Sequence, residues 1–237
     1  MRKLLFFASL CVAGLPLLAE TAQERLKNAS EVFQEIMATP DKGIPQDLIE
    51  KAHCMAIIPG LKKAGFVVGG SYGRGFVLCR NESGRGWGAP TAVRIEGGSF
   101  GLQIGASSTD VVMLIMNRKG MDKLLDSKFT LGADASVAAG PVGRTAAAQT
   151  DALMRAEILA WSRSRGAFAG ISLNGATLRN DLDENKELYG KKLTSREVLQ
   201  ASTTPPEAAK PLIAQLNKYS MREEGSSSAD RSAKPDK

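Results

Sequence analysis

A five-residue motif, Gly-Gly-Ser-aromatic-Gly, occurs twice in this chain, at residues 69–73 and 97–101. Both copies fit the G-x-S-x-G pattern of serine hydrolases, in which a strand precedes the serine, a helix follows it, and the catalytic histidine comes later in the chain. Here strand-like sequence follows each copy, and the one histidine, His53, precedes both. The motif therefore predicts a repeated β-element with close backbone packing, and the chain is not expected to be an enzyme.

The region from Cys54 to Met116 consists of short apolar runs interrupted by glycine, which is typical of antiparallel strands joined by turns. Helical periodicity flanks this region: an amphipathic helix is expected over residues 24–37, and another begins at Pro205. The pattern predicts an α+β fold. Its core would be a glycine-rich, mainly antiparallel β-sheet or barrel-like structure covered by N-terminal and C-terminal helices.

The two ends of the chain differ in composition from its middle. Arg2 and Lys3 precede an apolar stretch at residues 4–18, which predicts a signal peptide at residues 1–19 with cleavage after Ala19. The stretch is too short for a membrane anchor, and Leu10 disfavours lipidation of Cys11. We expect a domain at 20–200, a C-terminal helix at 201–222 and a disordered tail at 223–237. The expected location is periplasmic or secreted, with peripheral membrane association.

Cleavage would leave two cysteines, Cys54 and Cys79, in an oxidising compartment. They could form a disulfide or remain two buried thiols, and the sequence leaves both alternatives open. One histidine and two remote cysteines do not form a usual zinc site. The acidic segment at 181–187 begins like a calcium loop but has Lys186 at the sixth position and Lys192 at the twelfth. No metal and no cofactor are expected.

The chain has a mild positive excess, with 31 Lys and Arg against 25 Asp and Glu. No motif combines basic and aromatic residues in the manner of nucleic-acid-binding domains, so nucleic acid is not an expected partner. Anionic membrane surfaces attract basic proteins and remain a candidate.

Several long stretches of the chain carry a resemblance to a known family. These stretches are residues 58–65, 69–75, 94–105, 109–112, 128–132, 134–141 and 189–190. They closely resemble the SYLF domain, also called the Ysc84 domain, over about residues 25–200. The resemblance implies an α+β domain that binds phospholipids, with actin binding known in some fungal members. The expected signal peptide places the chain with the exported bacterial branch, for which actin is an unlikely partner.

Phosphate is bound by Lys and Arg side chains and by backbone amides exposed in glycine-rich turns. The best candidates for a lipid headgroup site are Lys62 and Lys63, in an apparent turn after Gly60, and Arg74 with its neighbours Gly73 and Gly75. The alternative is an ordinary solvated turn.

Three further arginines, Arg144, Arg163 and Arg165, lie beside or near glycines and are secondary candidates. Pairing with carboxylates such as Asp134 or Asp151 is the preferred interpretation for them.

These observations predict an exported, non-catalytic lipid-binding module that recognises anionic phospholipid headgroups at the envelope surface. The alternative is a structural or adaptor protein of the cell envelope that binds a protein partner.

Overall fold

The computed structural model of this chain describes residues 20–39, 43–66, 68–81, 86–100, 105–142, 156–164, 167–171, 173–201 and 203–220. The predicted signal peptide at 1–19 and the predicted tail at 223–237 lie outside the described residues. Two of the secondary candidates, Arg144 and Arg165, also lie outside them.

Strands and helices alternate in blocks along the described residues. The strands are β1 Cys54–Phe66, β2 Val68–Cys79, β3 Thr91–Phe100, β4 Gly105–Ile115, β5 Lys128–Thr130, β6 Val137–Ala139, β7 Ile158–Ser164, β8 Ala167–Gly170 and β9 Thr177–Asn180. The helices are α1 Ala22–Met37, α2 Gln46–Lys51, α3 Arg118–Leu124, α4 Leu182–Tyr189, α5 Ser195–Gln200 and α6 Lys210–Tyr219, with a 3-10 turn at Glu207–Ala209 before α6. This arrangement confirms the α+β prediction.

The strands form one curled sheet in the order β5-β9-β3-β2-β1-β4-β7-β6, with β8 also beside β7. All pairs are antiparallel except β6 with β7. The segment between β5 and β6 connects the two edges of the sheet. At one edge the Leu131 N–H donates to Ala176 O (2.8 Å), and at the other the Ile158 N–H donates to Ser136 O (3.0 Å). The sheet therefore curls into a half-barrel, between the two forms that the sequence left open, a sheet or a barrel-like structure.

Alternation of apolar residues along the strands builds a separate core on each face of the sheet. On one face Ile57, Phe76 and Trp161 pack beneath the helices, with α1 and α6 above them. On the other face, Ile58 and Val93 belong to a cluster contributed by strands from both edges, which is the inside of the half-barrel. The sheet is thus buried on both faces over most of its length.

Helix α1 covers the sheet because its apolar residues recur at helical spacing. Leu26, Phe33 and Ile36 are buried on the side that faces the core. The helix begins with a capping box in which Thr21 and Glu24 bind each other's backbone N–H. The predicted amphipathic helix at 24–37 is confirmed, and it begins two residues earlier than expected. No helix in the described ranges combines the length and apolar character needed to cross a membrane.

A disulfide joins Cys54 to Cys79 in the structure. The two residues are register partners in β1 and β2, and both are buried. Of the two alternatives that the sequence left open, the structure contains the bonded one. The bond ties the first residue of β1 to the last residue of β2.

Candidate functional site

Lys62 and Lys63 lie within β1 and not in a turn, so the predicted turn was wrong. The pairing of β1 with β2 shifts register between Ile57 and Lys62, which is a bulge. At its centre Gly60 has a φ of 59°, a left-handed conformation that glycine adopts readily. The Gly60 N–H donates to Oδ1 of Asp110 at 2.9 Å. The glycine bends the strand here but does not end it.

Hydroxyl-bearing residues flank both lysines on the neighbouring strands. Lys62 lies between Tyr72 of β2 and Ser108 of β4, and Lys63 lies between Ser71 and Ser107. Lys62 is exposed, and Tyr72 keeps 47% of its surface exposed. Neither lysine forms an ion pair with another described residue. Because side chains alternate along a strand, Lys62 with Tyr72 and Ser108 lies on one face of the sheet, and Lys63 with Ser71 and Ser107 lies on the other face at the same end of the strands. We call this end of the sheet, with both its faces, the Lys-Ser patch; its members are Lys62, Lys63, Ser71, Tyr72, Ser107 and Ser108.

Arg74 is held by two carboxylates from the segment at the start of α4. Its Nε lies 2.7 Å from Oδ2 of Asp181 and 3.4 Å from Oε2 of Glu184. Burial works against the charged form of the guanidinium, but the hydrogen bond and charge of Asp181 outweigh it and raise the pKa of Arg74. The structure therefore gives Arg74 an ion-pairing role between β2 and α4.

Gly73 and Gly75 do not form an exposed phosphate-binding loop. Both are buried in β2, where the bulge of β1 approaches closely. A Cβ at Gly75 would lie 2.0 Å from the carbonyl oxygen of Ile57, and one at Gly73 would lie 2.8 Å from a methyl group of Ile58. The expectation that these glycines present amides to a headgroup is corrected: they make room for β1.

The Arg74 pairing extends into a buried charge network that reaches α1. Glu184 accepts from Nη1 of Arg25, and its side chain is only 1% exposed. Burial raises the pKa of Glu184, while the charges of Arg25 and Arg74 oppose that rise. The Ala22 N–H also donates to Oε1 of Glu187 at 2.8 Å. These contacts pin the first turn of α1 to α4.

Arg163 pairs with carboxylates, as the preferred interpretation held, although its partners differ from those suggested. Its Nη2 donates to Oδ2 of Asp110 at 2.9 Å, and its Nη1 contacts Glu35 of α1. Because Asp110 also accepts from Gly60, this cluster connects α1 to the β1 bulge. Arg163 is therefore occupied in a structural contact.

Four cations stand side by side across β2, β3, β9 and β5. Arg74 is opposite Arg94, Arg94 is opposite Arg179, and Arg179 is opposite Lys128. Glu96 lies 2.8 Å from Nε of Arg94 and 3.7 Å from Nη1 of Arg179. Lys128 is exposed and has no ion pair among the described residues. Sequence reasoning missed Arg94, Arg179 and Lys128, because their proximity depends on strand register.

A groove of about 590 Å³ lies beside this row and shares Ser71 and Tyr72 with the Lys-Ser patch. It is lined by Ser71, Tyr72, Glu96, Gly97, Gly98, Lys128, Phe129, Thr130, Asp134, Gly175, Thr177 and Arg179. Cations, carboxylates and hydroxyls therefore meet in one open depression. Across the described ranges, no three His, Cys, Asp or Glu residues cluster in a way that could hold a metal ion.

The serines of the repeated motif are not placed in catalytic elbows. Ser71 lies inside β2, which continues for eight more residues as a strand, and its Oγ donates to Gly97 O at 3.3 Å. Ser99 lies inside β3. The two copies of the motif are paired neighbours, with Ser71 opposite Gly97 and Gly69 opposite Ser99. The repeat is thus an element of strand pairing.

Comparison with known proteins identifies relatives of this chain. The family model described as "Ysc84: Las17-binding protein actin regulator" matches residues 96–219. LAS seventeen-binding protein 3 of Saccharomyces cerevisiae is 35% identical over 176 residues, which are 73% of this chain and 38% of the yeast protein. SH3 domain-containing YSC84-like protein 1 of Mus musculus is 31% identical over 204 residues, 84% of this chain and 59% of the mouse protein.

This chain spans about two fifths to three fifths of the length of these curated relatives. The family model and the yeast relative are both named for binding to Las17. The family match covers more than half of the chain, from the second half of β3 through β9 to the C-terminal helix. The chain is therefore a member of the Ysc84 family of SYLF-domain proteins.

Proposed function

We propose that this chain is a non-catalytic binding module that recognises anionic phospholipid headgroups through its Lys-Ser patch. The observation that carries the proposal is the placement of Lys62 and Lys63. They have no ion-pair partner in the described part of the chain, and a hydroxyl-bearing residue lies on each side of each lysine. Lysine ammonium groups and hydroxyls both donate to phosphate oxygens.

The surroundings of the patch fit an approach to a flat surface. Tyr72 is 47% exposed next to Lys62, and an amphipathic aromatic ring is suited to the interface of a membrane. Helices α1 and α4 cover the sheet further along, over Phe76 and Arg74. The patch thus lies beyond the part of the sheet that these helices protect.

Replacing both lysines with glutamate tests the proposal. We expect wild-type protein to float with vesicles in proportion to their anionic lipid content, and the Lys62→Glu/Lys63→Glu variant to lose most of that binding. Each basic residue near an anionic membrane contributes about 1 kcal/mol, so reversal of two charges should weaken binding more than about thirtyfold. The measurement is vesicle flotation at low and high salt.

The matched control for this experiment is Lys51→Glu/Lys210→Glu. It changes the net charge equally at exposed positions in α2 and α6, and should float almost as the wild type does. Equal losses in both variants would assign binding to net charge alone. Wild-type binding that did not depend on the anionic lipid content or on the salt concentration would contradict the proposal.

An exported setting is part of this proposal. The basic and apolar composition of residues 2–18 supports it. Protein recovered from an envelope or culture fraction should begin at Glu20. An intact N-terminus in the cytoplasmic fraction would contradict this location.

A second candidate function is the binding of a protein partner. It is favoured by the names of the relatives, which describe Las17 binding and actin regulation. In this account the module would act as an adaptor in the envelope, with lipid contact incidental. Crosslinking of the intact chain in its envelope should then capture one protein stoichiometrically. A chain recovered without a partner would contradict this hypothesis.

A further inference from the structure

The groove beside the Lys-Ser patch is lined by charges of both signs. Lys128 and Arg179 supply two cations, and Glu96 and Asp134 supply two carboxylates. Oε1 of Glu96 lies 2.8 Å from Nε of Arg94, whereas its Oε2 faces Nη1 of Arg179 at 3.7 Å. Ionised carboxyl oxygens only accept hydrogen bonds, so Oε2 would repel a simple anion. A ligand that satisfies the whole groove therefore carries a positive, N–H-donating group as well as a negative one.

The cations form one side of the groove and are placed to hold a phosphate. Lys128 and Arg179 are register partners on β5 and β9. Lys128 has no ion pair among the described residues, and the Arg179 Nη1 is 3.7 Å from Glu96, longer than a hydrogen bond. The hydroxyl-bearing Thr130 and Thr177 are themselves register partners and also line the groove. A guanidinium, an ammonium and hydroxyls are the groups that bind phosphate oxygens.

The other side of the groove is placed to hold an ammonium group. Glu96 stands directly opposite Tyr72, which is exposed, so a carboxylate and an aromatic ring meet on neighbouring strands. Ammonium groups are attracted both to carboxylates and to aromatic faces. Phe129, the other aromatic residue lining the groove, is 4% exposed. One accessible ring does not form an aromatic cage, and the carboxylate of Glu96 favours a primary ammonium with N–H donors. Asp134 accepts from the Thr130 N–H at 2.7 Å, next to the phosphate side.

The two sides are close enough for one small ligand. Glu96 is the register partner of Thr177, so Arg179 is its diagonal neighbour, about 7–8 Å away between backbones. Their side chains approach each other, with Oε2 of Glu96 3.7 Å from Nη1 of Arg179, so one small ligand reaches both. We propose that the groove binds a phosphoethanolamine group, with its phosphate on Lys128 and Arg179 and its ammonium on Glu96 beside Tyr72. This ligand is distinct from the anionic headgroups assigned to the Lys-Ser patch, and neither assignment depends on the other.

Calorimetric titration of the full chain tests the proposal with three soluble probes. Phosphoethanolamine should bind at least about tenfold more tightly than inorganic phosphate or ethanolamine, because only it engages both charge pairs. Glu96→Gln should weaken phosphoethanolamine binding by about tenfold. Glu207→Gln removes the same charge from an exposed site beside Lys210, and should leave the affinity unchanged.

The direction of the Glu96→Gln effect separates a zwitterion site from a plain anion site. If the groove held only phosphate, loss of the carboxylate would tighten binding, and inorganic phosphate would bind as well as phosphoethanolamine. Either result overturns the proposal, as does the absence of phosphoethanolamine binding. Circular dichroism of each variant shows that the fold is retained.

The source of the group is decided with vesicles of fixed anionic content that contain either phosphatidylethanolamine or phosphatidylcholine. Stronger flotation with phosphatidylethanolamine, reversed by soluble phosphoethanolamine, identifies a lipid headgroup. Binding of the soluble compound with no lipid preference identifies free phosphoethanolamine esters. The titration uses soluble probes and no membrane, so it can fail while flotation with anionic vesicles succeeds, which keeps the test independent of the anionic-lipid proposal.

Discussion

Arg25→Met should lower the free energy of unfolding by about 3–5 kcal/mol at neutral pH, the usual cost of removing one partner of a buried ion pair. Arg25 and Glu184 are 9% and 1% exposed in their side chains, and Asp181 and Arg74 complete the network. Without Arg25, the Glu184 carboxylate would stay buried with Arg74 as its remaining cation. Chemical denaturation followed by circular dichroism measures the change.

The loss of stability in the Arg25→Met variant should increase with pH. Burial already raises the pKa of Glu184, and removal of Arg25 takes away the largest opposing charge. A carboxyl whose pKa is higher in the folded state stabilises that state below its unfolded pKa, and the stabilisation is lost as pH rises through the folded pKa. The deficit of the Arg25→Met variant should therefore be smallest near pH 4 and largest at pH 7 and above.

The control for this variant is Lys27→Met, which removes a cation from the same helix. Lys27 pairs with Glu31 on the exposed face, where ion pairs contribute little. Its stability should be almost that of the wild type. An Arg25→Met variant as stable as the Lys27→Met control, or one with a deficit independent of pH, would contradict the buried-network account.

Gly75→Ala should lower the free energy of unfolding by about 3 kcal/mol or more, or prevent folding. The new Cβ would lie 2.0 Å from the Ile57 carbonyl oxygen and 2.8 Å from Cα of Ile58. Overpacking costs about 1–3 kcal/mol where side chains can move aside. At Gly75 the clashing atoms belong to the backbone, and β1 cannot move away without breaking its hydrogen bonds to both β2 and β4.

Gly98→Ala is the matched control, because it makes the same change in the neighbouring strand. No atom lies within 4 Å of a Cβ at Gly98, so we expect unchanged or slightly higher stability, by about 0.5–1 kcal/mol. Thermal and urea unfolding of both variants measures the difference. Equal stability of the two variants would show that β1 does not approach β2 as closely as described.

The fold could be predicted largely because its patterns are local. Short apolar runs interrupted by glycine indicated the sheet, and the spacing of Leu26, Phe33 and Ile36 indicated α1. The sequence predicted a turn at Gly60, where the structure has a bulge. A left-handed glycine occurs in both turns and bulges, and only the pairing of β1 with β2 and with β4 distinguishes them.

The site was predicted less completely because it depends on contacts between distant segments. Arg74 looked free in the sequence, but its partner Asp181 is 107 residues away. Lys128 and Arg179 are also distant in the chain, and only the register of β9 with β5 brings them together. Lys62 and Lys63 were chosen as candidates because they follow Gly60 directly in the chain, whereas their serine neighbours come from β2 and β4.

The most direct test of the central claim is amide chemical-shift mapping of the full chain with short-chain phosphatidylglycerol below its micelle concentration. Perturbations should centre on Lys62 and Lys63 and extend to Ser71, Ser107 and Ser108. The same titration with neutral short-chain phosphatidylcholine should leave the amides of these lysines unchanged. Perturbations confined to α1 or absent throughout would contradict the assignment of anionic headgroup binding to the Lys-Ser patch.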